Sequence, residues 1–258
     1  MNVVILCGGM GIRLKEETEF RPKPMVNIGE KPVIWHVMKT YAHYGHTNFI
    51  LCLGYKGEYI KEYFYNYEIM SSDFTLKLGD RNSLDIRRSH LEYDWNITMA
   101  DTGTNALKGG RLKRVEKYVD GDTFMVTYGD GLANIDINDL LAFHQSHGKL
   151  ATVTGVNPLA RFGELHIEGQ QVLKFSEKSR DSGSLINGGF FVFNRAVFDY
   201  LEDRDDFDLE YGCLENIATK GQLMVYKHDK FWVCMDTIRD VEYLNELWAE
   251  NRAEWKVW

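Results

Sequence analysis

No stretch of this 258-residue chain approaches the roughly 20 consecutive apolar residues that cross a bilayer, so no membrane partner is expected. The first residues, Met1-Asn2-Val3-Val4-Ile5-Leu6-Cys7, lack the basic region and cleavage site of a signal peptide and read as a buried strand. Cysteine is scarce: Cys7, Cys52, Cys213 and Cys234 are scattered and form no C-x-x-C pair. Disulfides and a zinc site are therefore not expected, and a reducing cytoplasm is the implied location. Cationic clusters are missing too. The formal net charge is -8 without a long basic run, and duplex binding demands a clustered cationic face, so no nucleic-acid partner is expected. The eight histidines show no metal-ligand spacing, and His36 reads as structural. Without an internal repeat, low-complexity tract or linker, one domain over residues 1–258 is the simplest organisation.

What is present is a well-filled core. Apolar residues make up 44% and aromatics 13%, as in a soluble globular protein. Val3–Cys7, Asn48–Leu53, Phe124–Thr127 and Ala151–Val156 read as strands. Helical spacing predicts helices over Pro32–Tyr44, Gly57–Tyr67 and Ile137–His147. This alternation predicts a doubly wound, mostly parallel, Rossmann-like sheet, which binds ligands beyond the carboxyl ends of its strands. Residues from about Ser71 to Met99 break the rhythm with short strands and polar loop. From Phe162 to Phe193 the pattern reads as hairpins with a turn at Glu168-Gly169-Gln170.

Chemistry concentrates at two strand ends. Leu6-Cys7-Gly8-Gly9-Met10-Gly11-Ile12-Arg13-Leu14 is neither a P-loop nor a dinucleotide fingerprint. Its glycines let backbone approach a base and phosphates, exposed N–H groups can bind oxygen, and Arg13 supplies a cationic fork. By itself it reads equally well as a strand–helix turn without a ligand. Arg21-Pro22-Lys23-Pro24-Met25 then holds Lys23 between two prolines, a rigid clamp for an α-phosphate or a solvated lysine in a turn. Asp130 ends an apolar strand at Tyr128-Gly129-Asp130-Gly131, and either it or Asp236 could merely cap a turn or helix.

G-G-x-G-x-R-L followed by R-P-K-P-M resembles the signature of nucleotidyltransferases that activate sugar 1-phosphates. Gly54-Tyr55-Lys56-Gly57, Asp101-Thr102-Gly103, Gly109-Gly110-Arg111-Leu112-Lys113-Arg114, Ile186–Phe191 and Met235-Asp236-Thr237 extend the likeness over the whole chain. Together they resemble the glucose-1-phosphate cytidylyltransferase family. That resemblance implies transfer of CMP from CTP to glucose 1-phosphate, with Mg²⁺ and usually as a homo-oligomer. It places CTP against Leu6, Cys7, Gly8, Gly9, Met10, Gly11, Ile12 and Arg13, with Lys23, Ala106, Arg111 and Gly129. Arg13, Lys23 and Asp130 are the implied catalytic residues, and Asp130 and Asp236 the implied Mg²⁺ ligands. Tyr128, Arg161, Glu177, Lys178, Asn187 and Gly188 are the implied acceptor site.

The departures from the family pattern gather in the acceptor half. Pro158-Leu159-Ala160 precedes Arg161 where the family reads P-P-G, Ser179 follows Lys178 in place of Pro, and Leu185 replaces Trp. Leu209–Leu214 replaces a W-E-x-E-P-L-like segment. On the nucleotide side Ile12 replaces Thr, and Lys108 stands where the family has Thr before Gly-Gly-Arg. These changes keep a different phosphorylated acceptor, such as phosphoglutamine, as the alternative, along with a non-catalytic nucleotide-binding relative.

Overall fold

The computed structural model describes residues 1–80, 83–87, 90–157, 164–168, 171–176 and 185–258. Its central sheet has eight strands. They are β1 (Asn2–Leu6), β2 (Asn48–Leu53), β3 (Asn96–Asp101), β4 (Thr123–Tyr128), β5 (Ala151–Val156), β6 (Ile186–Asn187), β7 (Phe191–Asn194) and β8 (Leu223–His228). The spatial order is β6-β5-β7-β4-β1-β2-β3, with β8 pairing the other edge of β5. β1 lies parallel to β2 and β4, β2 to β3, and β5 to β8; β7 is antiparallel to β4 and β5.

The sequence of β1 explains its central place. Val3, Val4 and Ile5 are all fully buried, the continuous apolar run of a strand covered on both faces. Alternate residues face opposite sides, so Val3, Ile5, Phe49 and Leu51 join one apolar cluster, and Val4, Ile50 and Val126 the other. The first cluster takes the buried face of α1 (Val33–His43), which carries Val33, Ile34, Val37, Met38 and Tyr41. It also takes Leu244 and Leu247 of α5 (Ile238–Ala249). The second is closed by Leu112 of α3 (Lys108–Arg114) and by Phe198 and Leu209. Two further helices, α2 (Gly57–Tyr65) and α4 (Ile137–His147), complete the alternation.

The expected elements appear with shifted ends. β1 stops at Leu6, and α2 ends at Tyr65 with a separate turn over Tyr67–Met70. The region expected as short strands and loop contains a main-sheet strand, β3, in register from Asn48↔Asn96 to Leu53↔Asp101. Parallel pairing to β2 has no short-range turn to announce it. The hairpin expected after Phe162 is present as Glu164–Glu168 against Gln171–Ser176, and its Gly169-Gln170 turn lies outside the described residues. β1, β2 and β4 run the same way, so Cys7, Gly54 and Gly129 emerge side by side, with Gly129 N donating to Leu6 O (3.2 Å) and Tyr55 N to Gly8 O (3.0 Å).

Candidate active site

Beyond those strand ends lies a cleft of about 1220 Å³. The glycine loop forms one part of its wall. Gly11 has φ 63°, and a Cβ there would sit 2.8 Å from Thr18 Cγ2, so both backbone and space require glycine. The loop then closes in a 3-10 turn, Ile12–Leu14, anchored by the fully buried Leu14. Ile12 and Arg13 are left exposed on the cleft side.

Gly8 is glycine for another reason. A Cβ would lie 2.3 Å from Arg111 Nη1. Arg111, on α3, is buried, and its guanidinium donates to the carbonyls of Gly8, Leu53, Gly103 and Thr104 and to Thr102 Oγ1. It thus laces the glycine loop to the ends of β2 and β3. Burial lowers its pKa, yet a guanidinium keeps its proton in proteins, leaving a positive charge beneath the loop. Burial also pushes the Cys7 thiol up to about 12, against the pull of Arg111, so Cys7 serves as a packed, neutral group.

Lys23 is not the solvated lysine that its motif allowed. Pro22 is extended, Lys23–Met25 forms a 3-10 turn, and the Lys23 side chain is buried. Its Nζ donates to Asp130 Oδ2 at 2.5 Å and Asp236 Oδ1 at 2.6 Å. Arg13 Nη1 donates to Asp236 Oδ2 at 2.6 Å. Burial opposes the Lys23 charge, but the Asp130 charge and the hydrogen bonds to both aspartates outweigh it and hold the pKa above the ordinary lysine value. The aspartates meet because Gly131–Ala133 and Trp232–Cys234 form an antiparallel ribbon with Gly131 opposite Cys234. Met235 N donates to Asp130 O (2.9 Å). Asp236 is further fixed as the residue before the Thr237–Asp240 capping box of α5.

Ligand atoms of Asp130, Cys234 and Asp236 lie within 4.8 Å of one another. Two hard carboxylate oxygens brought this close suit a divalent cation, and the donor set fits one. Nothing in the sequence pointed to Cys234 beside them.

Around Tyr128 the cleft has a different chemistry. Asn187 Nδ2 donates to Tyr128 Oη (2.9 Å), and Tyr128 Oη donates to Glu210 Oε1 (2.6 Å), which also takes Lys108 Nζ (2.5 Å). Burial first, then the Glu210 charge, raise the Tyr128 pKa well above the ordinary value. Leu6, Gly9, Ala106, Gly129 and Asn187 line the cleft as expected. Met10 and Gly188 do not: Met10 is exposed, and Gly188 O takes Trp232 Nε1 at 2.8 Å. Arg161, Glu177 and Lys178 lie outside the described residues. Glu210 and Lys108 were not expected in the site. They arrive through packing of α3 against the Leu209–Leu214 turn, which Asp208 caps at Glu210 N.

A mostly parallel sheet with a glycine loop, a buried lysine and paired aspartates at its carboxyl edge defines a nucleotide-handling α/β enzyme. The sequence profile of the nucleotidyl transferase family matches residues 2–253, and the chain belongs to that family. It is 48% identical over 259 aligned residues to the glucose-1-phosphate cytidylyltransferase of Salmonella typhi, covering all of both chains. It is also 30% identical over 217 residues to the D-glycero-alpha-D-manno-heptose 1-phosphate guanylyltransferase of Campylobacter jejuni, covering 84% of this chain and 86% of the relative. The solved inositol-1-phosphate CTP transferase of T. maritima superposes with TM-score 0.66 at 15% identity, over 99% of this chain and 96% of that one, a likeness of fold. No helix among the described residues is long and apolar enough to cross a membrane.

Proposed function

We propose that the chain, acting as one unit over residues 1–258, transfers CMP from CTP to glucose 1-phosphate, giving CDP-glucose and pyrophosphate. The convergence of Lys23, Asp130 and Asp236 beside the glycine loop carries this reading, and the full-length likeness to the Salmonella enzyme supports it.

The acceptor's phosphate oxygen attacks the α-phosphorus of CTP in line; the P–O bond to the β-phosphate breaks and pyrophosphate leaves. That oxygen is already ionised near neutral pH, so no side chain needs to remove a proton. Lys23 neutralises the α-phosphate, Arg13 the outer phosphates, and loop N–H groups orient the chain. Both cations are held in place by ion pairs with these aspartates. Arg111 acts through the loop that it pins. Mg²⁺ held by Asp130 and Asp236 supplies further charge neutralisation when bound. Tyr128 and Asn187 meet the acceptor, joined in this reading by Arg161, Glu177 and Lys178. The working location is the cytoplasm.

The decisive assay follows pyrophosphate release from each NTP against a panel of phosphorylated acceptors with Mg²⁺. Turnover with CTP and glucose 1-phosphate is the expected result. Turnover with CTP and only another acceptor would move the substrate assignment, and none with any pair would overturn the enzymatic reading. Self-association belongs to the same proposal: Leu78, Leu91 and Tyr93, in the segment between α2 and β3, are 88%, 74% and 75% exposed, and Phe74 and Leu76 are exposed too, apolar side chains that a second copy would cover. Light scattering is expected to give a mass above the monomer's 29.9 kDa.

A further inference from the structure

The side chains around Tyr128 form a hydrogen-bond chain with one direction. Asn187 Oδ1 accepts from Gly189 N (2.9 Å), which fixes Nδ2 as the end that donates to Tyr128 Oη (2.9 Å). The Tyr128 proton passes to Glu210 Oε1 (2.6 Å). Lys108 Nζ donates to the same oxygen (2.5 Å). Glu210 Oε2 is buried with no partner among the described residues, so the carboxylate is held by Lys108, Tyr128 and its own capped backbone. Every proton runs toward Glu210. The Tyr128 hydroxyl therefore has its proton committed and can offer an incoming ligand a lone pair but no donor. Lys108 and Glu210 also cancel in charge, which gives no preference for an acceptor bearing an extra anionic group.

We propose that Glu210 is a positioning residue that turns the Tyr128 hydroxyl to accept from an acceptor hydroxyl, and that the neutral Lys108–Glu210 pair selects uncharged, polyhydroxylated 1-phosphates. This inference rests on the cytidylyl-transfer reading of the same cleft. It separates a sugar 1-phosphate from an acceptor carrying a carboxylate, because a carboxylate has no proton to give Tyr128 and finds Lys108 already paired with Glu210.

The test compares wild type, Glu210→Ala, Glu210→Gln, Tyr128→Phe and the Glu210→Ala/Tyr128→Phe double variant, using CTP and glucose 1-phosphate. Loss of one oriented hydrogen bond should raise the KM for glucose 1-phosphate about tenfold, with the KM for CTP changed by less than about twofold. Glu210→Gln, whose amide oxygen can still hold Tyr128, should recover most of the loss. The double variant should be little worse than either single one, since both break the same chain. One monodeoxyglucose 1-phosphate should be disfavoured by wild type and tolerated by Glu210→Ala. An unchanged acceptor KM in Glu210→Ala, no recovery in Glu210→Gln, or an additive double variant would overturn the proposal. A purely structural glutamate would instead lower the thermal midpoint and disturb both KM values together. Calorimetric Kd values for glucose 1-phosphate separate the two readings. Binding that weakens in Glu210→Ala without turnover in wild type sinks the reaction and keeps this inference. Wild-type turnover with an unaffected variant does the reverse, and no wild-type binding of glucose 1-phosphate sinks both.

Discussion

The two ends of the cleft are built by opposite strategies. At the glycine loop the backbone forms part of the cleft wall, and the side chains there are fixed from behind: Arg111 below, Leu14 in the core, Lys23 by the aspartates. Around Tyr128 the surface is made of side chains linked to one another, brought from β4, β6, α3 and the Leu209–Leu214 turn. Backbone cannot be changed by a substitution without moving the fold, whereas a side-chain wall can be rewritten residue by residue. Recognition of a common triphosphate suits the first design, and discrimination among acceptors suits the second.

Substitutions can break or sharpen this contrast. The largest loss is expected from Lys23→Ala, which removes the cation proposed to meet the reacting phosphate: kcat should fall roughly 10²–10³-fold while circular dichroism keeps the native signature. Near-normal turnover in folded protein would take Lys23 out of the mechanism. Next comes Arg111→Met. Leaving its buried carbonyl partners unsatisfied should cost about 3 kcal/mol or more, read as a lower urea midpoint together with weaker CTP binding. If stability held and only CTP binding fell, the arginine would be a direct ligand contact rather than the lace under the loop. Asp236→Asn should weaken Mn²⁺ binding, followed by electron paramagnetic resonance, about tenfold or more; equal Mn²⁺ affinity in both proteins would remove Asp236 from the metal site.

A smaller effect probes the core behind the loop. Burial lowers the His36 pKa from 6.5 to about 4. The unfolded chain therefore takes up a proton below pH 6.5 that the folded one refuses until about pH 4. Stability from this group is complete above 6.5 and drains as pH falls toward 4, by about 1.4 kcal/mol per pH unit. His36→Leu should flatten part of that slope in urea titrations, and an unchanged slope would assign it to His46, His144 and His228, also lowered by burial. The smallest change is Ile12→Thr. Ile12 is 78% exposed, so stability should stay within about 0.5 kcal/mol, and the KM for CTP should fall no more than a few-fold. A larger gain would mean that side chains matter more on the nucleotide side than the loop geometry implies.

Both designs left different traces in the sequence. The glycine loop and the strand before it are local, so Gly8, Gly11 and Lys23 could be read from neighbours within a few residues. Asp130 was marked by the apolar strand that ends on it. Asp236 had no such mark, and its pairing with Asp130 depends on a ribbon between segments far apart in the chain. Glu210 and Lys108 stood out only as departures from the family pattern, because their meeting is a product of helix packing. β3 fell within the region read as short strands, but its place in the main sheet was not read, because its partner β2 lies far back in the chain. Local chemistry was legible, and long-range juxtaposition was not.

The ribbon that joins Gly131 to Cys234 also sets a schedule. Loop closure over about a hundred residues is slow and entropically costly, so the paired aspartates cannot form until that late segment has been synthesised and docked. A chain emerging from the ribosome has its glycine loop synthesised long before Asp236 can reach Asp130. A frameshift upstream of Trp232 would remove Asp236 and also Leu244 and Leu247, which share the buried cluster of Leu14 behind the glycine loop.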